Sequence, residues 1–197
     1  MRKAGVVGLQ GAVSEHIDTL NRAFVETGEG GEAVWVRRPA DLERVDCLVL
    51  PGGESTTISK LLLKFGLFDP VVERAREGMP MLGTCAGMIV MCSEGDEEVA
   101  RTDTRLLGLL SARVDRNAFG RQRESFEADL EVEGLDGTLH AVFIRAPAIV
   151  GHWGACRPMS WLGDKAVLVR QDNLLAASFH PELTDDLRIH GMLLDMV

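Results

Sequence analysis

The sequence predicts a single-domain α/β protein of three layers (α/β/α), with a mainly parallel central sheet and added antiparallel strands across residues 1–197. Two observations predict it. In the first half, short apolar runs alternate with segments of helical periodicity, as when parallel strands are joined by helical crossovers. In the second half, strand-like segments follow one another with Gly, Asp and Asn between them. No repeat, low-complexity stretch or long linker divides the chain, and 197 residues suffice for one sizeable core.

Taken in order, Ala4 to Leu9 is a compact apolar run and reads as a buried strand. Val13 to about Glu26 spaces Ile17, Leu20 and Phe24 by three and four residues, which predicts an amphipathic helix. Ala33 to Val36 and Cys47 to Leu50 are short apolar strands. Pro51-Gly52-Gly53 ends the second, and Ser55 or Thr56 can cap a helix carrying Ile58, Leu61, Leu62 and Phe65. Phe68 to Glu77 is a further helix, Met79 to Leu82 a strand, and Ala86 to Cys92 a helix again. Glu94 to Arg105 is polar and reads as a mobile surface loop. Ser111 to Arg116, Ser125 to Glu131, Ala141 to Ile144, Ala155 to Trp161, Lys165 to Gln171 and Leu174 to Phe179 are strand-like, and about Asp185 to Met196 is a closing helix.

The formal net charge of −9 argues against a nucleic acid partner, because phosphate binding needs clustered Lys and Arg. No uninterrupted apolar stretch reaches the roughly 20 residues a membrane span needs. Met1-Arg2-Lys3 leads straight into Ala4, which leaves no room for a secretory leader. The four cysteines, Cys47, Cys85, Cys92 and Cys156, show neither CxxC pairing nor framework spacing. They read as reduced thiols, so a cytoplasmic protein with no metal site is expected.

Cys85 carries the chemistry. It stands in Leu82-Gly83-Thr84-Cys85-Ala86-Gly87, with a glycine two residues to either side, at the passage from strand to helix. This is the spacing of a nucleophile elbow, in which a tight turn exposes the nucleophile at a helix N-terminus. There the helix N–H groups favour the thiolate, and the N–H of Ala86 can face a developing oxyanion. Cys47, Cys92 and Cys156 read as core residues. His180-Pro181-Glu182 follows the last apolar strand, so His180 should emerge at a strand's C-terminal edge as base and then acid, with Glu182 orienting it. His16, His140, His152 and His190 lack such a context and read as surface or packing residues.

Pro51-Gly52-Gly53-Glu54-Ser55-Thr56 is a glycine-rich turn without the Gly-Lys-Ser/Thr ending of a phosphate loop, and its acid would repel phosphate. Its pair of glycines suits a backbone N–H offered to an oxyanion, and Glu54 suits a ligand ammonium.

Gly83-Thr84-Cys85-Ala86-Gly87 with His180-Pro181-Glu182 resembles the class I (triad) glutamine amidotransferases. More narrowly, Gly8 to Val13, Pro51 to Thr57, Arg116 to Gln122, Ser125 to Asp129, Phe143 to Pro147 and Ser178 to Thr184 resemble the glutaminase subunits of pyridoxal 5'-phosphate synthase, in order along nearly the whole chain. The resemblance implies the flavodoxin-like fold of that class. It implies hydrolysis of L-glutamine to L-glutamate and ammonia through a γ-glutamyl thioester on Cys85, with His180 and Glu182 completing the triad. It implies a glutamine site at Gly53, Glu54, Ser55, Arg116, Ile144 and Arg145, and an oxyanion hole from the backbone of Gly53 and Ala86. Gln10 and Gly11 would link activation to a docked synthase subunit that receives the ammonia in a hetero-oligomer, and no cofactor is implied. The activity classes implied are hydrolase and lyase. Arg121 and Arg145 have surface charge as their plainer reading. A γ-glutamyl hydrolase or a non-catalytic glutamine-binding subunit are the competing functions, the second disfavoured by the intact Cys85, His180 and Glu182.

Overall fold

The computed structural model describes residues 1–28, 30–120 and 125–197; Arg121 and Gln122 of the Arg116 to Gln122 segment lie outside the described residues. The strands of the first half are β1 (Arg2–Val7), β2 (Gly31–Val36), β3 (Cys47–Leu50), β4 (Met81–Thr84) and β5 (Cys92–Glu94). Between them run α1 (Val13–Thr27), α2 (Pro39–Leu42), α3 (Ser55–Lys64), α4 (Phe68–Arg76) and α5 (Ala86–Met91). The second half holds α6 (Glu97–Arg101), β6 (Leu110–Asp115), β7 (Ser125–Glu131), β8 (Thr138–Ile144), β9 (Ala148–His152), β10 (Arg157–Leu162), β11 (Lys165–Gln171) and β12 (Leu174–Ala177). A short 3-10 turn (Pro181–Leu183) leads to α7 (Arg188–Leu194).

Among the described residues ten strands form one sheet, in the order β2-β1-β3-β4-β12-β11-β9-β6-β5, with β10 paired to β11; β7 and β8 make a separate hairpin. The pairs from β2 through β12 are parallel, and β11 then turns the sheet antiparallel. The order of the parallel part is that of flavodoxin-like sheets, whose ligands bind beyond the C-terminal strand ends.

Period-two alternation splits the core. Leu48, Leu50, Met81, Leu174 and Ala176 face one layer with Ile58 and Leu62 of α3, Val71 of α4 and Met88 of α5. Cys47, Val49, Leu82, Leu175 and Ala177 face the other, with Leu20 and Phe24 of α1, Ile189 and Leu193 of α7, and Phe143 of β8. Burial on both faces explains why these strands read as continuous apolar runs.

Several expectations are corrected. Glu94 to Arg105 is not a plain loop. Asp96 caps α6 by accepting the Val99 N–H at 2.9 Å, and the acids at 97 and 98 suit the first turn. The cap of α3 is Glu54, whose carboxylate accepts the N–H groups of Thr56 (3.0 Å) and Thr57 (2.7 Å), rather than Ser55 or Thr56. The pattern of the chain does not announce β9, because Pro147 stands just before it. The closing helix, expected over about Asp185 to Met196, is the shorter α7 from Arg188 to Leu194, with the 3-10 turn standing ahead of it. Cys156 is buried, but in the turn ahead of β10 rather than in a strand.

Candidate active site

Four adjacent strands of the sheet deliver the site. Gln10 follows β1, Gly53 follows β3, Cys85 follows β4 and His180 follows β12, all at C-terminal strand ends. The pairing of Ala177 with Thr84 and of Leu50 with Gly83 aligns these exits, and the Cys85 N–H donates to the Ala177 carbonyl at 2.8 Å.

Cys85 has φ 48° and ψ −103°, a conformation that side chains rarely adopt and that the surrounding packing must impose. Gly87 permits it: a Cβ there would run into the Leu50 carbonyl oxygen. The Cys85 Sγ is 3.9 Å from the Ile144 carbonyl oxygen, and the Cys85 and His180 side chains meet at Gly52, where a Cβ would lie close to both. His180 Nδ1 is 2.7 Å from Glu182 Oε1, and the Glu182 side chain is fully buried. Burial alone would lower the His180 imidazole. Its hydrogen bonds to Cys85 and Glu182, and their negative charges, outweigh burial and push it up to about 10. The other thiols differ: burial, helped by Asp46, raises Cys47 to about 12, and burial likewise raises Cys92 and Cys156.

A cleft of about 460 Å³ opens beside Cys85. Its lining brings together Gln10, Gly53, Glu54, Ser55, Cys85, Ala86, Arg116, Ile144, Arg145 and His180. Glu182 stands behind His180, and Gly11 (φ 103°) packs on the Gly52 turn, where the Ala12 N–H donates to the Gly52 carbonyl. A second cleft of about 550 Å³, between α1 and α7, contains none of the expected site residues.

Arg116 is held from three sides. Its backbone N–H donates to Asp96 Oδ2 (2.8 Å), its Nη1 donates to Thr102 (3.2 Å), and its Nη2 is 3.6 Å from Glu54 Oε1. Glu54 is correspondingly engaged, as helix cap, as acceptor from the Thr57 hydroxyl and as partner of Arg116. Burial would raise its carboxyl, but the Thr57 and Thr56 hydrogen bonds hold it below the usual range. Ser55 is buried in the cleft wall, and its Oγ has no hydrogen-bond partner among the described residues. Arg145 is exposed at the rim with φ 42°. Gln10 Oε1 accepts the Glu54 N–H at 2.9 Å.

Sequence reasoning missed Ile89, Glu98 and Asn117 in the lining. Glu98 Oε2 accepts from Asn117 Nδ2 at 2.7 Å. The signal for α6 was present: Asp96 followed by two acids is a helix start. His16 and His190 pack as expected of core histidines, yet not inertly. Both are fully buried, and His16 Nε2 is 3.3 Å from Glu182 Oε2. His140 is a surface residue bonded to Asp129 and Glu127. Among the described residues, no group of His, Cys, Asp and Glu is arranged to hold a metal ion, and no helix is long and apolar enough to cross a membrane.

The fold and the sequence that carry this site have their counterparts among the glutamine amidotransferases. A solved structure described as a glutamine amidotransferase is 47% identical, with a TM-score of 0.87 over 98% of this chain and 97% of that one. Residues 6–197 match the SNO glutamine amidotransferase family, and the chain belongs to that family. Among its relatives are the pyridoxal 5'-phosphate synthase subunits PdxT of Methanosarcina barkeri and Thermococcus onnurineus. The first is 50% identical over 99% of this chain and 98% of its own length; the second is 51% identical over 96% of each. The match carries a glutamine-hydrolysing activity and not the lyase class also expected: splitting an amide adds water and eliminates nothing.

Proposed function

We propose that the chain hydrolyses L-glutamine to L-glutamate and ammonia at Cys85, and passes the ammonia to a pyridoxal 5'-phosphate synthase subunit with which it assembles. The observation that carries this reading is the line from Cys85, held at φ 48°, through His180 to Glu182 at 2.7 Å.

With Glu182 occupying Nδ1, His180 presents Nε2 to the thiol, and its raised pKa places the proton on the imidazole. The Cys85 thiolate attacks the glutamine side-chain amide carbon, and the carbonyl oxygen takes up negative charge facing the N–H groups of Gly53 and Ala86. The C–N bond breaks as His180 gives its proton to the leaving nitrogen, which departs as ammonia. His180, now neutral, takes a proton from water; the hydroxide equivalent attacks the γ-glutamyl thioester, and glutamate leaves with Cys85 restored. No cofactor or metal enters these steps.

Arg116, its backbone fixed by Asp96 and its guanidinium braced by Thr102, suits the substrate α-carboxylate. The ammonium is met by Glu54, and Glu98 adds a second carboxylate on the same wall. The unpartnered Ser55 Oγ, the Ile144 carbonyl and Arg145 complete the pocket. In this reading Gln10 and Gly11 couple activity to docking. Because Gln10 holds the Glu54 N–H beside Gly53, pressure on this segment shifts the oxyanion donor. A reducing cytoplasm suits the four free cysteines.

The test is ammonia release from glutamine, with and without the synthase subunit. Cys85→Ala should abolish release, a loss of about 10⁴-fold or more, while still assembling with the synthase. Retained release from Cys85→Ala would refute the reading.

A further inference from the structure

We propose that His16 is a positioning residue for Glu182, so that the Cys85–His180–Glu182 line continues inward through His16 to His190. The proposal rests on the triad reading above.

Glu182 uses Oε1 for His180, while Oε2 is buried and makes no well-formed hydrogen bond among the described residues. Facing Oε2 at 3.3 Å is His16 Nε2, which also stands 3.0 Å from Thr84 Oγ1. On its other side, His16 Nδ1 is 2.9 Å from His190 Nε2. α1, β4, the 3-10 turn and α7 therefore converge on one imidazole, in contact with His190, Thr84 and Glu182 and with His180 one residue further.

Two separate observations select the tautomer. A bare Nε2 lone pair facing a carboxylate oxygen would be repelled, so Nε2 carries the proton, bonded to Thr84 Oγ1 at 3.0 Å while its positive N–H end lies 3.3 Å from Glu182 Oε2. Nδ1 must then accept, so His190 Nε2–H donates to it, which leaves His190 Nδ1 as a bare acceptor. His190 Nδ1 is indeed buried without a partner. In the opposite tautomer that atom would be an orphaned buried N–H, the costlier vacancy. His190 thus fixes the proton of His16, and His16 faces Glu182 with a donor. A carboxylate bonded to His180 at Oε1 and faced at Oε2 by the His16 N–H dipole resists rotating away, and it keeps the charge that supports the imidazolium.

The measurement is the pH dependence of Cys85 alkylation by iodoacetamide, read at that residue by mass spectrometry on the full chain. It is paired with kcat and KM for glutamine in the complex with the synthase. His16→Asn keeps a polar group near Nδ1 but cannot reach Glu182, whereas His16→Gln places an amide N–H near Nε2. His16→Asn should move the alkylation midpoint upward by at least half a pH unit and lower kcat at least fivefold, with KM within twofold. His16→Gln should restore both. A wild-type midpoint and kcat in His16→Asn, or equal behaviour of Asn and Gln, overturns the proposal. His190→Leu frees the tautomer without removing His16, so it should shift the midpoint the same way; an unchanged midpoint there counts against the proposal even if His16→Asn fails to fold. Ammonia release by Cys85→Ala would instead overturn the underlying triad reading. An inactive Cys85→Ala beside an unaltered His16→Asn overturns this inference alone.

Discussion

Gly52 packs so closely on His180 that a Cβ at residue 52 would sit 2.6 Å from the imidazole Cε1 and 3.5 Å from the Cys85 Cβ. The glycine after β3 is thus part of the wall that sets the distance between thiol and imidazole. Gly52→Ala should displace His180 and lower kcat by roughly 10²-fold, the scale of a misplacement near 1 Å. Circular dichroism should stay native-like. Wild-type turnover in that variant would show that the ring has room the structure denies it.

The raised His180 sets a window on the alkaline side. A base whose folded pKa is about 10, above its unfolded value near 6.5, adds stability that is fully present below pH 6.5 and is lost as pH rises through 10. Denaturant midpoints between pH 7 and 10.5 should therefore fall more steeply in the wild type than in His180→Gln. Parallel slopes would remove the imidazolium from the account.

His16 and His190 act with the opposite sign. Burial holds His190 down to about 3, and burial, then the His190 and His180 charges, lowers His16 well below the usual range. Their stability contribution is present above pH 6.5 and is lost as pH falls toward the folded values. Each pH unit below 6.5 costs up to about 1.4 kcal/mol per histidine kept neutral. Urea midpoints from pH 7 down to 4 should drop less steeply in His190→Leu than in the wild type.

Glu54 and Glu98 separate structure from binding. Glu54→Ala removes the α3 cap and a partner of Arg116, so it should cost about 1 kcal/mol of stability and raise KM for glutamine. Glu98→Gln, an isosteric change on the short α6 whose core contact is Val99, should raise KM with a near-native Tm. Scanning calorimetry beside steady-state kinetics distinguishes the two patterns.

Gln10→Ala should leave the basal rate of the isolated chain within about threefold and remove most of its stimulation by the synthase, since the Gln10–Glu54 bond ties the Gln10 side chain to the residue next to Gly53. Full stimulation of that variant would dissociate the segment from activation.

The parallel half of the fold was legible because buried strands and amphipathic helices write their periods directly into the chain, as in the apolar run from Cys47 to Leu50 and the Ile17, Leu20, Phe24 stripe of α1. The antiparallel half was less so. β9 follows Pro147, and α6 is a single polar turn whose identity depends on Asp96 bonding to Val99. That the Glu54 carboxylate is taken up by the α3 cap, in competition with the ligand role proposed for it, also cannot be read from residue order.

By itself the sequence determined the alternation of elements, the cysteine on its elbow and the His180–Glu182 pair, since each depends on residues close in the chain. Tertiary structure alone decided what stands behind them. His16 and His190 are 174 positions apart, and their rings meet at 2.9 Å beneath Glu182 because α1 and α7 cover the same face of the sheet. A buried histidine's partners are set by which elements pack together, and no local pattern in the chain records that.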